Sequence, residues 1–248
     1  MEIENIIEQS CRYPFSDMKE FLRVIALFVL LLVPAFLGAL FLMSSHDVGA
    51  NIAILIIMAI LFIVIGLLIS GYFISVMKEG INQSGIIPSW NIKKNIVDGL
   101  KFCVLAFVYS IIPLVFMFIF MIGASGLFVF TNSAASAIIA GFVLLILIVV
   151  ILIFTILSNV GALRLANTDS LSEGLNFSAV IEVLKQIGII KYVITFIMFA
   201  IISGIIGLVG SFISLIPYIG GFIYLLFLLP IAYSISAYGY GLLYSDVA

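Results

Sequence analysis

Charged side chains are scarce in this sequence. Only 9% of its 248 residues are Asp, Glu, Lys or Arg, whereas 65% are hydrophobic. A soluble domain carries about 25% charged residues and needs them to keep its surface in water. The mean hydropathy of +1.42 therefore excludes a soluble enzyme, a nucleic-acid-binding protein and a disordered chain. The net charge of -2 excludes nothing further.

Residues that carry catalytic or metal chemistry are also scarce. The chain has one His and two Cys. His46 lies in the polar turn Ser44–Asp47, where adjacent residues cannot adopt the geometry of a catalytic triad. Cys11 and Cys103 have no His near them in the sequence, and both are expected to stay reduced, so neither a metal site nor a disulfide is predicted. We therefore expect no enzyme activity, no cofactor and no metal.

What the sequence does contain is six long apolar runs. A helix needs about 20 residues to cross the bilayer core. The runs are Val24 to Met43, Ile52 to Met77, Phe102 to Ile122, Ala137 to Leu157, Tyr192 to Leu215 and Ile219 to Leu243. They are apolar on every side, which favours helices over barrel strands, whose residues alternate. The predicted fold is all-α, a polytopic membrane protein with six transmembrane helices in a single membrane domain, residues 1–248.

The basic residues predict how the chain is oriented. All ten Lys and Arg side chains lie before the first run, between the second and third, or between the fourth and fifth. Because cytoplasmic loops are enriched in basic residues, both termini are predicted to be cytoplasmic, in the cell membrane. The runs contain no Asp, Glu, Lys, Arg or His. An ion-coupled transporter usually needs such a residue in a span, so we do not expect one.

Three amphipathic stretches precede the first, third and fifth runs. They cover Ile3 to Ser10, Asn91 to Cys103 and Val180 to Ile187, and each puts apolar residues on one helical face and polar residues on the other. Helices of this kind lie in the membrane interface. We expect short interfacial helices on the cytoplasmic side.

These stretches divide the chain into three similar units. The units are 1–79, 80–165 and 166–248, each an interfacial helix followed by a transmembrane hairpin. Their second helices end in Gly71-Tyr72, Gly161-Ala162 and Gly239-Tyr240. The alternative is that any six-helix protein with both termini on one side shows three hairpins, without a true repeat.

One candidate functional surface lies before the third run. Trp90 is the only tryptophan, placed where an indole would meet lipid headgroups, and Lys93, Lys94 and Lys101 follow it. Lysines near anionic lipid add binding energy, so we predict a surface for lipid headgroups or for a partner protein. The alternative is that these lysines only fix the topology.

A second candidate site lies within the spans. Tyr109, Ser110 and Tyr233 are hydroxyl residues near Pro113 or Pro230, and they are candidates to line a polar cavity for a neutral solute. The alternative is that they hydrogen-bond carbonyl groups that the prolines leave unpaired. A further set of small residues in the fifth run, Ser203, Gly207 and Ser211, has the spacing of a helix-packing face. The alternative is that this set forms a substrate groove.

The stretch from Gly71 to Pro113 resembles a known family. Its residues are Gly71-Tyr72, Ile87-Pro88-Ser89-Trp90, Asp98-Gly99-Leu100-Lys101, Tyr109 and Pro113. They are similar to the pattern of an archaeal integral membrane family catalogued as domain of unknown function 4013. Two further stretches also resemble this family, namely Tyr13-Pro14 with Asp17, and the C-terminal stretch from Tyr233 to Gly241. Ile87 and Trp90 depart mildly from the pattern.

The resemblance implies a polytopic membrane protein and brings no catalytic residues with it. The layout also looks distantly like the membrane domains attached to some glycerophosphodiester phosphodiesterases, whose hydrolase domain is missing here. Our leading hypothesis is a non-catalytic protein that organises membrane lipids or partner proteins, either another membrane protein or further copies of this chain, at the cytoplasmic face. The alternative is a facilitator for a neutral or apolar solute. No nucleic-acid partner is expected.

Overall fold

The computed structural model describes residues 1–44, 47–131 and 134–248, without the side chains of 124–137. Its α-helices are α1 Ile3–Arg12, α2 Met18–Ser44, α3 Val48–Ile81, α4 Ile92–Thr131, α5 Ala134–Thr168, α6 Leu171–Leu175, α7 Phe177–Ile187, α8 Ile189–Ser214, α9 Gly220–Ile223 and α10 Leu229–Tyr244. A 3₁₀ turn, Tyr13–Phe15, follows α1, and a π-helical turn, Tyr224–Leu228, joins α9 to α10. Ser45 and His46 of the polar turn lie outside the described residues.

Six helical segments in the described ranges are long and apolar enough to cross a membrane. They are α2, α3, α4, α5, α8 and the continuous segment Gly220–Tyr244, which we call the sixth span. The prediction of an all-α membrane protein with six transmembrane helices is therefore confirmed. All ten basic residues lie at one end of this bundle, which we call the charged end.

Polar side chains determine where several helices begin. Asp17 accepts hydrogen bonds from two N–H groups in the first turn of α2, at 2.9 and 3.1 Å. Asp47 does the same for α3, Asn91 for α4 and Asn176 for α7. Such caps satisfy backbone donors that the helix itself leaves unpaired. Gly188, with a φ of +94°, ends α7 in a conformation that glycine adopts easily, and so separates α7 from α8.

The second amphipathic stretch differs from the sequence prediction. α1 and α7 are separate short helices, but Asn91 to Cys103 leads into the first turns of α4 without a break. Asn95, Asp98 and Gly99 are buried against the rest of the bundle, whereas Leu100 on the apolar side is exposed. Packing through the polar side holds this stretch in line with the transmembrane part of α4, and therefore it does not form a helix of its own in the interface.

Buried residues concentrate at the charged end. The densest runs of buried residues are Tyr72–Ile81 of α3, 160–166 of α5 and 234–244 of α10. Farther along the spans, large side chains such as Phe118 and Leu208 are exposed, as expected where lipid tails cover them. The bundle is therefore closely packed at the charged end and more open toward the other end.

Ion pairs join distant parts of the chain at the charged end. Lys78 Nζ lies 2.6 Å from an Asp169 carboxylate oxygen, and Lys191 Nζ lies 2.6 Å from one of Asp246. Although burial alone would raise the pKa of Asp246, the hydrogen bond and charge of Lys191 contribute to holding it below its ordinary value. Because α1 also packs on α10, both terminal segments lie at this end.

Glycines allow α3 to touch α4 and α10 through the backbone. A Cβ atom at Gly71 would overlap the carbonyl group of Asn95, and one at Gly99 would overlap the backbone of α3. A Cβ atom at Gly80 would lie 2.9 Å from the Cα atom of Gly241 on α10. Small residues permit such close crossings between membrane helices, so α3 is the central helix of the bundle.

The glycines in the last part of the second helix of each predicted unit make corresponding contacts. Gly71 of α3 receives the start of α4, as just described. A Cβ atom at Gly161 of α5 would lie 2.8 Å from the carbonyl oxygen of Gly174 in α6, and one at Gly239 of α10 would lie 2.5 Å from Ser10 Oγ in α1. Gly71 and Gly161 thus each contact the segment that begins the next unit. Gly239, in the third unit, contacts the segment that begins the first unit.

Candidate functional site: an intramembrane cavity

A cavity of about 730 Å³ lies between α3, α8 and the sixth span. Phe28 of α2, Phe102 of α4 and Asn159 of α5 complete its wall. We call it the central cavity. Its volume is in the range of about 300 to 1,000 Å³ that small-molecule sites occupy. It lies on the membrane side of the closely packed charged end.

The irregular backbone of the sixth span borders this cavity. Pro230 has no N–H group, and its ring disturbs the helical turn before it. The π-helical turn Tyr224–Leu228 stands directly before α10, which has Pro230 in its first turn. Such turns widen a helix locally and are frequent at functional sites. Tyr224 and Leu228 both line the cavity.

Gly210 fixes the position of the Tyr224 ring. A Cβ atom at Gly210 would overlap this ring, so only glycine lets Tyr224 pack flat against α8. The contact ties the π-helical turn to α8 on the side away from the charged end. Three residues earlier, Gly207 has no atom within 4 Å of its Cβ position and lines the cavity. The expectation that Ser203, Gly207 and Ser211 form a helix-packing face is therefore corrected at Gly207.

The polar groups in the cavity wall are all uncharged. Ser203 of α8 and Ser236 of α10 face each other with their Oγ atoms 3.4 Å apart. The Asn159 side chain interacts with the Tyr240 hydroxyl. Tyr233 also lines the cavity, with its ring centroid 5.4 Å from that of Phe73. The wall is therefore apolar with a few hydroxyl and amide groups.

Aromatic side chains form the end of the cavity nearest the charged end. The Tyr240 ring lines the cavity, and its centroid lies 5.1 Å from that of Phe199 and 6.1 Å from that of Tyr192. Phe199 and Tyr192 are fully or almost fully buried. We call these three residues the aromatic floor. Tyr240 lines the cavity, and Phe199 and Tyr192 pack behind its ring.

The side of the cavity between α5 and α8 is less tightly closed. In the described residues α8 packs on α10, and α5 packs on α3 and α4, but extensive packing between α5 and α8 is absent. This side of the cavity therefore has less helix packing than the sides formed by α3 and the sixth span.

Tyr109 and Ser110 are not among the residues that line the central cavity, in contrast to Tyr233. Tyr109 is 1% exposed, and its hydroxyl donates a hydrogen bond to the Gly174 carbonyl oxygen at 3.0 Å. Ser110 Oγ donates to the Phe107 carbonyl oxygen at 2.8 Å. The prediction that Tyr109, Ser110 and Tyr233 line one cavity is therefore corrected for Tyr109 and Ser110. Their hydroxyl groups already donate hydrogen bonds to backbone carbonyl groups.

The three predicted lysines come together at the charged end. Lys93, Lys94 and Lys101 line a shallow groove of about 390 Å³ with Asp98 and Asp169. Lys101 donates to the Asp169 carbonyl oxygen at 2.8 Å and lies 3.5 Å from the Asp98 carboxylate. Lys93 and Lys94 are exposed, and neither has an ion-pair partner in the described part of the chain. Of the three lysines in this groove, only Lys93 and Lys94 therefore offer an unneutralised charge.

Trp90 lies apart from this groove. Its indole is half-buried against the apolar core of the charged end. The buried Nε1–H group has no hydrogen-bond partner among the described residues. The structure therefore brings together the lysines of the predicted surface but not the tryptophan.

The sequence interpretation did not identify Asn159 and Ser236 as cavity residues. Asn159 comes two residues after the predicted end of the fourth run at Leu157, but α5 continues to Thr168. In the sequence, the polar pair Ser158-Asn159 directly follows the apolar run. This pair is the signal from which a polar group in the wall could have been predicted. Within the described ranges, there is no group of three or more His, Cys, Asp or Glu side chains that could hold a metal ion.

The six apolar helices and the cavity between them define a multi-pass, α-helical integral membrane protein. A family model described as "Protein of unknown function (DUF4013)" matches residues 54–215. The chain belongs to this family. No match was found among curated proteins or among solved structures.

Proposed function

We propose that this protein is a non-catalytic membrane protein that holds a neutral, largely apolar guest in the central cavity. The observation that carries the proposal is that the cavity lies among the spans and that its lining residues are all uncharged. Its size fits a lipid chain with a small polar group. The guest would come from the surrounding bilayer.

The polar groups of the wall favour one hydroxyl or carbonyl group on the guest. Ser203 and Ser236 are 3.4 Å apart, which is a long and weak hydrogen bond. Each hydroxyl therefore keeps capacity to donate to or accept from a guest. A charged group would lose its hydration with no opposite charge to replace it, which is costly in this environment.

The geometry favours exchange with the membrane over passage across it. The rings of the aromatic floor pack on one another at the end of the cavity near the charged end, whereas the side between α5 and α8 lacks extensive packing. A facilitator would need a path through the floor, and exchange with the bilayer needs only the lateral side. We therefore favour binding and release of a membrane-soluble guest.

The proposal predicts selection against charge. We expect a fluorescently labelled C16 alcohol to bind purified protein at least tenfold more tightly than the equally labelled C16 carboxylate at pH 8, because the carboxylate must be desolvated. Equilibrium titration in nanodiscs measures both affinities. The two ligands carry the same label and the same chain length, so their partitioning into the membrane differs only through the charge. Tighter binding of the carboxylate would refute a neutral site.

A second candidate function is the organisation of anionic lipid or a partner at the charged end, which the topology inferred from the basic residues puts in the cytoplasm. The observation that favours it is the pair of exposed, unpaired ammonium groups of Lys93 and Lys94. Each lysine near an anionic surface contributes about 1 kcal/mol. Lys101 would support this surface through its contacts to Asp98 and Asp169, whereas Trp90 would contribute only by packing against the nearby apolar core.

Charge reversal tests this second candidate. We expect Lys93→Glu with Lys94→Glu to reduce retention of phosphatidylglycerol at least tenfold, measured by native mass spectrometry. Lys19→Glu with Lys185→Glu makes the same charge change elsewhere at the charged end, where both lysines are exposed, and should leave retention nearly unchanged. If both double variants lose lipid equally, net charge alone explains the binding and the surface has no special role.

A further inference from the structure

A second pocket lies on the other side of α3 from the central cavity, at the charged end. It has a volume of about 520 Å³ and is formed by α2, the end of α3, the connection 82–91 and the start of α4. Its polar lining includes Glu20, Ser75, Lys78, Glu79, Lys94 and Asn95. We call it the interfacial pocket, because the apolar part of the neighbouring spans ends at this depth.

The side chain of Asn95 lines the interfacial pocket. Asn95 as a whole is only 3% exposed, and its amide makes no side-chain hydrogen bond with the described residues, so its polar atoms are available to the pocket. Its backbone is held in place, because its carbonyl group lies against Gly71 at the crossing of α3 and α4. A buried amide normally has a partner. The fold therefore fixes an unused donor and acceptor group at the wall of this pocket.

Two of the four charged groups in the pocket are neutralised by the protein. Glu20 accepts hydrogen bonds from Arg23 at 2.6 and 2.7 Å, and Lys78 pairs with Asp169. These two side chains have no free charge to offer a ligand.

The other two charged groups are available. Glu79 accepts a hydrogen bond from the neutral Ser84 hydroxyl at 2.6 Å but has no basic partner among the described residues. Lys94 has no acidic partner there, and it lies in the first turn of α4, whose N-terminus carries a partial positive charge. The pocket thus presents one carboxylate, and one ammonium group in the first turn of α4 beside the Asn95 amide.

We propose that the interfacial pocket binds a phosphate ester that carries a primary ammonium group, as in the headgroup of phosphatidylethanolamine. The phosphate binds at Lys94, the Asn95 amide and the start of α4. The ammonium group binds at Glu79. The depth of the pocket matches the level of lipid headgroups, which favours the lipid over soluble phosphoethanolamine. This site is separate from the central cavity, and the proposal does not depend on the proposed function.

Trp90 provides a probe for this site. It is the only tryptophan in the chain, and it follows Ser89, which lines the pocket. We expect its fluorescence to change in a saturable way when phosphatidylethanolamine is added to protein in phosphatidylcholine nanodiscs. Native mass spectrometry of the same samples counts retained phosphatidylethanolamine directly. The absence of both signals would overturn the proposal.

Matched variants distinguish the pocket from the general surface. Lys94→Gln and Glu79→Gln should each weaken phosphatidylethanolamine binding at least tenfold. Lys93→Gln and Glu182→Gln, which remove exposed charges outside the pocket, should change it less than twofold. Asn95→Leu should weaken binding tenfold without lowering the thermal unfolding midpoint, because it removes a buried amide that has no partner in the protein.

Other ligands identify the chemistry that is recognised. Saturable binding of soluble phosphoethanolamine as tight as that of the lipid would support the site and assign it to a soluble ligand. Weaker soluble binding would support the lipid headgroup. Phosphatidylglycerol binding as tightly as phosphatidylethanolamine would overturn recognition of the ammonium group, and an equal loss in Lys93→Gln and Lys94→Gln would overturn the pocket.

Discussion

Gly71→Ala is expected to lower the free energy of unfolding by about 3 kcal/mol, at the upper end of the usual cost of overpacking. A Cβ atom at this position would overlap the Asn95 carbonyl group, which belongs to the backbone of α4 and cannot move without shifting the helix. The α3 and α4 axes must therefore separate. Thermal unfolding of the purified protein, followed by circular dichroism in one detergent, measures the effect.

Gly66→Ala is the control for this prediction, because it makes the same substitution on the same helix. Its Cβ position has no atom within 4 Å, and alanine is favoured over glycine inside a helix by up to about 1 kcal/mol. The midpoint of Gly66→Ala should equal or exceed that of the parent protein. Equal midpoints for the two variants would show that α3 and α4 do not cross in backbone contact at Gly71.

Gly207→Leu is expected to reduce binding of the labelled C16 alcohol more than tenfold while leaving the protein folded. The Cβ position of Gly207 is open, and the residue lines the central cavity, so the new side chain enters space that the guest would occupy. Equilibrium titration in nanodiscs gives the affinity, and the thermal unfolding midpoint checks the fold.

Gly204→Leu provides the matched comparison. It lies three residues earlier on α8, its Cβ position is equally open, and it is not among the lining residues of the cavity. We expect this variant to bind the alcohol within twofold of the parent protein. If Gly207→Leu binds as well as Gly204→Leu, the alcohol occupies another part of the protein and the central cavity is not its site.

Much of the fold could be predicted from the sequence, because the bilayer imposes a strong constraint on length and polarity. Uncharged runs of 20 or more residues leave helices as the reasonable choice, and the six spans agree with this. The sequence could not show that Asn91 to Cys103 continues into α4. Its pattern indicates an amphipathic helix, but which side packs depends on Gly71 and Gly99 of two different helices.

Less of the candidate site than of the fold could be predicted from the sequence. Tyr233 was identified from its place after Pro230, and it does line the central cavity. Tyr109 has the same chemical character and lies four residues before Pro113, but its hydroxyl donates a hydrogen bond to the carbonyl oxygen of Gly174, which is 65 residues away. Polar residues in apolar runs are visible in a sequence, whereas their partners on other helices are determined only by packing.

The glycine contacts also affect the order in which the chain can assemble. Gly71 and Gly161 receive segments that follow them directly, so these contacts can form while the remaining spans are still being synthesised. Ser10 of α1, by contrast, meets Gly239 near the end of the last helix. This contact of α1 can therefore form only after the sixth span has been inserted.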